Sequence, residues 1–189
     1  MENIINWLKD NLSDERYRHS IATSEMAEKL AKEFGVDSEK AKLAGLLHDC
    51  AKEYSHEENL KIIKENNLDV DEDELKSKKV LHAPVSAFVA KTIFNIEDKE
   101  ILDAIRFHTI GKIGMSDFEK IIFLADKIET ETRIEEHFDL LRQELNKTKS
   151  LDATLLLCSK MTIKSLLDRN LDINFQTIDL YNYLLKTQK

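Results

Sequence analysis

The stretch from Ala41 to Lys52 constrains this chain more than any other, because it is apolar on every side of the helix that it predicts. The small residues Ala44 and Gly45 share one side of that helix with His48, while leucines cover the other side. A helix that is apolar all round is a buried, central one, and its small residues let neighbouring helices come close. At its C-terminal end His48 and Asp49 stand side by side, and burying such a polar pair is costly unless something binds it.

The rest of the sequence predicts an all-α bundle around this central helix. Only 4 Gly and 1 Pro occur in 189 residues, so the turn residues that a β-rich fold needs are nearly absent. Apolar periodicity and capping residues predict further helices at 4–12, 14–34, 55–66, from Pro84 onward, and at 98–108, 116–129, 135–146, 151–169 and 176–186. The charged segment 69–79 indicates a surface loop or a frayed helix, and 109–114 a flexible break. We expect one domain over 1–189, in which 134–189 supplies packing helices.

Charge and targeting signals limit the classes of function. A net charge of -8 and a pI near 5.3 disfavour a groove for long nucleic acid, which requires basic patches. A small phosphorylated ligand stays compatible if metal ions, Lys or Arg meet its charge locally. The first residues do not resemble a signal peptide, and no apolar run approaches the length of a membrane span. We therefore expect a cytoplasmic protein with no membrane partner, in which Cys50 and Cys158 are small reduced core residues.

Six polar side chains fall on faces or helix ends that the pattern predicts to be buried. They are His19, His48, Asp49, His82, His108 and Asp126. Taken singly, His19 is typical of a hydrogen-bonded core histidine and Asp126 is compatible with solvent exposure. Taken together, buried imidazoles and carboxylates are best explained by a bound cation, which turns their desolvation cost into coordination. Six ligands exceed the three or four of one open catalytic site, so we expect two metals that share Asp49. His56 and His137 are expected at the surface.

The order and spacing of these residues resemble the HD-domain phosphohydrolases, whose signature is a His, a His-Asp pair and a distant Asp on separate helices. The closer resemblance is to the YqeK subfamily. It rests on Arg-Tyr-Arg-His at 16–19, Ala-Gly-Leu-Leu-His-Asp-Cys-Ala-Lys at 44–52, Leu-His-Ala-Pro-Val at 81–85, Ala-Ile-Arg-Phe-His-Thr-Ile-Gly at 104–111 and Ala-Asp-Lys-Ile-Glu at 125–129. It covers about 12–133 and departs at 129–133, where Glu-Thr-Glu-Thr-Arg replaces a Glu-Pro-x-Arg-like turn. The resemblance implies an HD-domain helical bundle, a di-iron centre and symmetrical cleavage of diadenosine tetraphosphate (Ap4A) into two ADP.

The resemblance also implies roles for particular residues in and near these motifs. One metal would be held by His19, His48, Asp49 and Asp126, and the other by His82, His108 and the shared Asp49. Iron is the expected metal, and manganese, cobalt or zinc also suit these nitrogen and oxygen donors. Asp49 and Lys52 are the expected catalytic residues, with a metal-bridging hydroxide as the nucleophile. The expected contacts to the nucleotide are Arg16, Lys52, Arg106, Thr109, Gly111 and Arg133.

Two other functions remain open from the sequence. A different HD-domain phosphohydrolase, acting on a nucleoside monophosphate or a cyclic nucleotide, would use the same metal cage with another pocket rim. A non-catalytic module would use the bundle to dock a partner, and it would be expected to lack one or more ligands, of which none is missing. Apolar residues on the C-terminal helices also leave a homodimer open.

Overall fold

The computed structural model describes residues 1–187, which fold into helices joined by short turns. Its eleven helices are α1 (Glu2–Asn11), α2 (Asp14–Phe34), α3 (Ser38–Leu47), α4 (His56–Glu65), α5 (Glu72–Lys76), α6 (His82–Ile93), α7 (Lys99–Phe107), α8 (Asp117–Ile128), α9 (Glu136–Thr148), α10 (Leu151–Asp168) and α11 (Phe175–Thr187). The predicted all-α fold is confirmed. Within 1–187, none of these helices combines the length and the hydropathy of a transmembrane span.

Helix α3 lies in the middle of the bundle, where it contacts α2, α6, α7 and α8. Its glycine faces α2 so closely that a Cβ atom on Gly45 would lie 3.0 Å from the Cα of Ser24 and 3.0 Å from the carbonyl oxygen of Thr23. Both of these are backbone atoms that cannot turn away, so a larger residue would force the two helices apart. The prediction that small residues bring a neighbouring helix close to the central one is confirmed.

Side-chain caps begin several helices where the sequence predicts them. Asp37 accepts hydrogen bonds from two backbone N–H groups at the start of α3. Ser55 and Ser116 each form a complete capping box at the start of α4 and α8. Ser13 instead begins α2 without a side-chain cap, because its hydroxyl donates to the carboxylate of Glu53 at 2.6 Å.

The central helix is shorter than predicted, since α3 ends at Leu47 and not at Lys52. Beyond it the chain continues in tight turns, with backbone hydrogen bonds from Cys50 to Leu47 and from Lys52 to Asp49. The imidazole of His48 turns back onto the last helical turn and donates from Nδ1 to a carbonyl oxygen there, at 2.7 Å. His48 and Asp49 therefore lie in a turn at the end of the central helix.

The segment 69–79, predicted to be a surface loop or a frayed helix, is mostly exposed and contains one short helix, but one of its side chains is buried. Asp71 and Glu74 form a capping box that begins the short helix α5. The carboxylate of Glu74 is fully buried and forms two hydrogen bonds of 2.7 Å with the guanidinium of Arg106 on α7. Arg106 is 32 residues from Glu74 in the sequence, so the charged residues around Glu74 gave no indication of this pair.

Candidate metal centre

The six side chains that the sequence singled out converge from five separate parts of the fold. His19 lies on α2, His48 and Asp49 follow α3, His82 begins α6, His108 follows α7 and Asp126 lies on α8. Each is buried, with an exposed fraction of 4% or less. They meet at the C-terminal end of the central helix α3.

One half of the cluster is formed by His19, His48 and Asp126. The Nε2 atom of His19 lies 2.9 Å from Oδ1 of Asp126 and 3.3 Å from Nε2 of His48. One ligand atom from each of the three residues can be chosen so that all lie within 4.8 Å of one another. This spacing suits the coordination shell of a single ion.

Asp49 connects this half to His82 and His108. Its Oδ1 atom lies 2.9 Å from Nε2 of His82 and 3.3 Å from Nε2 of His108, while Oδ2 lies 3.7 Å from Nε2 of His48. The two imidazole Nε2 atoms of His82 and His108 are 3.2 Å apart. Although it is buried, Asp49 Oδ1 makes no hydrogen bond of acceptable geometry. A buried carboxylate oxygen without a hydrogen bond is what a metal ligand presents.

Backbone carbonyls fix the orientation of two imidazoles. Nδ1 of His48 donates to the carbonyl of Gly45 and Nδ1 of His108 donates to that of Ile105, both at 2.7 Å. A carbonyl can only accept, so the proton sits on Nδ1 and the neutral ring directs an Nε2 lone pair into the cluster. The Nε2 atoms of His48 and His19 lie 3.3 Å apart and those of His82 and His108 lie 3.2 Å apart. Two lone pairs at that distance repel each other unless a proton or a metal ion lies between them. The donor set therefore fits bound metal ions.

Burial controls the charge of these groups. It lowers the pKa of His48 to about 3 and that of His82 to about 4, which keeps both rings neutral and able to coordinate at neutral pH. Burial alone would raise the pKa of Asp49, but nearby positive charge, including the ammonium of Lys52, holds it well below its ordinary value. The carboxylate is consequently ionised.

Glu129, to which the sequence analysis assigned no role, forms a hydrogen bond with the Nδ1 atom of His19, on the side of the ring opposite Asp126. Its buried carboxylate accepts from Nδ1 of His19 at 3.1 Å and from the backbone N–H groups of Glu131 and Thr132 at 2.6 and 3.0 Å. Burial raises the pKa of Glu129, but the hydrogen bonds from His19 and Thr132 outweigh it and lower that pKa to about 2. The position of Glu129, three residues after Asp126 at the end of α8, was the one available sequence signal.

Four cationic side chains surround the cluster on its partly exposed side. Arg16 and Lys52 approach Asp49, with nitrogen–oxygen distances of 3.9 and 3.5 Å. Arg133 and Lys127 reach Asp126 at 2.8 and 2.5 Å, although Lys127 was not predicted as a site residue. Their side chains are 23–31% exposed, so a ligand can reach them from solvent.

Arg106, one of the expected nucleotide contacts, has a different partner. Its guanidinium is paired with Glu74 and donates to the carbonyl of Asp69 at 3.1 Å. It lines a cleft of about 750 Å³ between α6, α7 and the segment around α5, whose walls include Phe88 and Phe107. The structure does not bring Arg106 into the cluster of histidines and carboxylates.

Of the two expected nucleotide contacts at 109–111, Thr109 adjoins the cluster and Gly111 packs against another helix. Thr109 directly follows His108, and its buried hydroxyl makes no hydrogen bond. Gly111 faces α11 instead, since a Cβ atom there would lie 2.4 Å from a methyl group of Leu180. Its φ of +69° is a second reason for glycine at this position. Packing against α11 therefore explains Gly111 without a nucleotide.

The side chains expected outside the site also lie outside it. His56 is partly buried on α4 and His137 is exposed on α9. Cys50 and Cys158 are free and buried, and burial raises the pKa of their thiols to about 12 and about 11. Neither thiol is available as a thiolate ligand at neutral pH.

Several known proteins are similar to this chain in sequence. The HD domain family matches residues 16–131. The symmetrical bis(5'-nucleosyl)-tetraphosphatase of Halalkalibacterium halodurans is 38% identical, covering 96% of this chain and 95% of that protein. The enzyme of the same name from Staphylococcus aureus is 36% identical, covering 93% and 89%.

A solved structure extends the similarity to the fold. It is described as a predicted HD superfamily hydrolase involved in NAD metabolism from Clostridium acetobutylicum, and it has 34% sequence identity and a TM-score of 0.93. The superposition covers 98% of this chain and 97% of that one. The chain therefore belongs to the HD domain family, and within it to the same family as the two symmetrical tetraphosphatases.

Proposed function

We propose that this protein is a metal-dependent hydrolase of dinucleoside polyphosphates that cleaves Ap4A symmetrically into two ADP. The observation that carries the proposal is the convergence of four imidazoles and two carboxylates beside four partly exposed cations. The names of the relatives supply the substrate, since three of them, at 33–38% identity, are symmetrical bis(5'-nucleosyl)-tetraphosphatases.

The histidines and carboxylates are proposed as the ligands of two metal ions. His19, His48 and Asp126 would hold one ion and His82 and His108 the other, with Asp49 shared. Metal ions bound there would lower the pKa of water and offset phosphate charge. The nitrogen and oxygen donors suit iron, which we propose as the metal, and also suit manganese, cobalt and zinc.

The cations are proposed to hold the polyphosphate. Arg16 and Lys52 approach the carboxylate of Asp49. Lys127 and Arg133 approach that of Asp126. Phosphate oxygens placed over the cluster would therefore meet positive charge beside both carboxylates. Symmetrical cleavage requires attack at a β-phosphorus, with ADP as the leaving group. The cationic side chains must therefore grip the inner phosphates, while the adenosines extend away from the cluster.

A different HD-domain phosphohydrolase activity is the second candidate, because the cluster fixes the reaction class more tightly than the substrate. The pairing of Arg106 with Glu74 supports this candidate, because one expected contact to the nucleotide already has a partner within the protein. A non-catalytic binding module is disfavoured, because all six expected ligands are present and directed at one another.

The test is product analysis with a panel of mononucleotides, cyclic nucleotides and dinucleoside polyphosphates. We expect Ap4A to give two ADP, and in oxygen-18 water we expect the label on the β-phosphoryl group of one of them. AMP and ATP as products would contradict attack at the β-phosphorus. Faster turnover of a mononucleotide or cyclic nucleotide than of Ap4A would contradict the proposed substrate.

We also propose a cytoplasmic location, a single domain over 1–189 and a homodimer. Two buried, free thiols are consistent with a reducing compartment. Exposed apolar side chains on the C-terminal helices, among them Leu140, Phe175 and Leu185, are consistent with contact between copies. Sedimentation analysis of the purified protein would distinguish a monomer from a dimer.

A further inference from the structure

The turn at 129–133, between α8 and α9, carries two contacts that shape the proposed metal centre. Its first residue, Glu129, accepts a hydrogen bond from His19, and its last residue, Arg133, donates to the carboxylate of Asp126 at 2.8 Å. Arg133 also donates from Nε to the backbone carbonyl of Asp126. The orientation of both Glu129 and Arg133 depends on the path of a turn that no helix enforces.

A single side chain from α9 holds both ends of this turn. Nε of Arg142 donates to the carbonyl of Ile128 at 2.9 Å, and its terminal nitrogen donates to the carbonyl of Glu129 at 2.5 Å. The same terminal nitrogen also donates to the carbonyl of Arg133. The other terminal nitrogen pairs with Asp139, one turn earlier on α9.

The chemistry of these contacts requires arginine. The last carbonyls of α8 have no intrahelical partner and carry the negative end of the helix dipole, so a cation there is favoured. A guanidinium offers its donors in a fixed planar fork and can bind several carbonyls at once, whereas a lysine ammonium is a point charge on a flexible stem. The side chain of Arg142 is 19% exposed, so it is held largely away from water.

We propose that Arg142 is a positioning residue for the metal centre, acting through the turn at 129–133. By fixing the carbonyls of Glu129 and Arg133, it sets where the Glu129 carboxylate meets His19 and where the Arg133 guanidinium meets Asp126. The proposal rests on the proposed metal centre and extends it to α9, which the sequence analysis treated as a packing element.

Metal binding by purified variants tests this proposal without any nucleotide. Arg142→Lys keeps a positive charge beside Asp139 but cannot bridge the turn, and it stays informative if Arg142→Ala does not fold. Asp139→Asn alters the ion pair alone, and Arg169→Lys changes an exposed arginine at the end of α10. Titration of chelator-treated protein with Mn²⁺ should show affinity about 10–100-fold weaker for Arg142→Lys, with both controls within about threefold of the parent protein.

A double-mutant cycle separates positioning from general stability. If Arg142 acts through the turn, Arg142→Lys and Glu129→Gln should weaken Mn²⁺ binding by less together than the product of their separate effects. Full multiplication of the two effects would overturn the proposal, as would an affinity of Arg142→Lys within about threefold of the parent. The proposal would also be overturned if, across the variants, the loss of Mn²⁺ affinity simply tracked a fall in the melting temperature of the metal-free protein, measured in EDTA. A parent protein that binds Mn²⁺ but does not cleave Ap4A would refute the proposed activity and leave this inference standing.

Discussion

Glu129→Gln tests whether the carboxylate behind His19 matters for metal binding. The substitution preserves the size of the side chain and removes its charge. An amide has one oxygen in place of two, while the carboxylate accepts from Nδ1 of His19 and from the backbone N–H groups of Glu131 and Thr132. At least one of these donors should therefore lose its acceptor within a site that is fully buried.

The expected cost follows from the hydrogen bonds that are lost. One hydrogen bond to a charged group in a buried site contributes about 1.5–3 kcal/mol, and loss of a partner that orients a ligand weakens metal binding by about 10–100-fold. Glu131→Gln is the matched control, because Glu131 is an exposed neighbour in the same turn that pairs with Arg18. Competition with a chelator gives the metal affinity, and urea unfolding in EDTA gives the stability.

Glu129 should also make the stability of the folded protein depend on pH. The pKa of Glu129 in the folded protein is about 2, below its ordinary value of 4.5, so its contribution to stability is present above pH 4.5 and is lost as the pH falls towards 2. The parent protein in EDTA should therefore lose more stability than Glu129→Gln between pH 5 and pH 3. Equal losses, together with unchanged metal affinity in the variant, would refute the role assigned to Glu129.

Three further substitutions test other parts of the structure. Loss of a residue that only orients a metal ligand can cost about 100-fold in activity, so loss of a ligand itself in His108→Ala should lower kcat/KM by at least that much. His137→Ala should leave kcat/KM unchanged. Similar values for both variants would contradict the separation of ligand histidines from surface histidines. Lys52→Ala should retain its metal in elemental analysis and lose about 100-fold in kcat/KM for Ap4A, and an unchanged kcat/KM would remove Lys52 from the phosphate site. Gly111→Ala and Gly114→Ala both place alanine at a φ near +70°, but only Gly111 meets a neighbouring side chain, so urea unfolding should show about 1–3 kcal/mol more destabilisation at Gly111. Equal destabilisation would show that contact with α11 is not the reason for that glycine.

The features that could be predicted from the sequence are those set by local pattern. The all-round apolar character of 41–52 identified the central helix, and its small residues, Gly45 among them, indicated the close approach of a neighbouring helix, which is α2. Capping residues such as Ser116 located helix starts, because the bonds of a capping box lie within three residues of one another. These interactions are contained in a few consecutive residues, so no tertiary structure is needed to foresee them.

The features that were missed depend on partners far apart in the chain. The sequence did not indicate that Glu74 pairs with Arg106, or that Gly111 packs against Leu180 of α11. Likewise, the pattern carried the central helix on to Lys52, although His48 turns its side chain back and the chain leaves the helix at Leu47. A residue type shows which interactions a position can make, whereas the fold decides which one is made.

The histidines of the cluster include both kinds of feature: some are oriented by neighbouring residues in the sequence, and one is oriented by a distant residue. His48 and His108 each directly follow a helix, where the carbonyl three residues earlier is free to accept from Nδ1, so the chain orients both rings locally. His19 lies inside α2, where backbone carbonyls are already used by the helix, and its Nδ1 must find an acceptor elsewhere. That acceptor is Glu129, 110 residues away, on a turn that Arg142 holds from α9. Because His19 lies inside a helix, the proposed metal centre depends on residues more than 100 positions later in the chain.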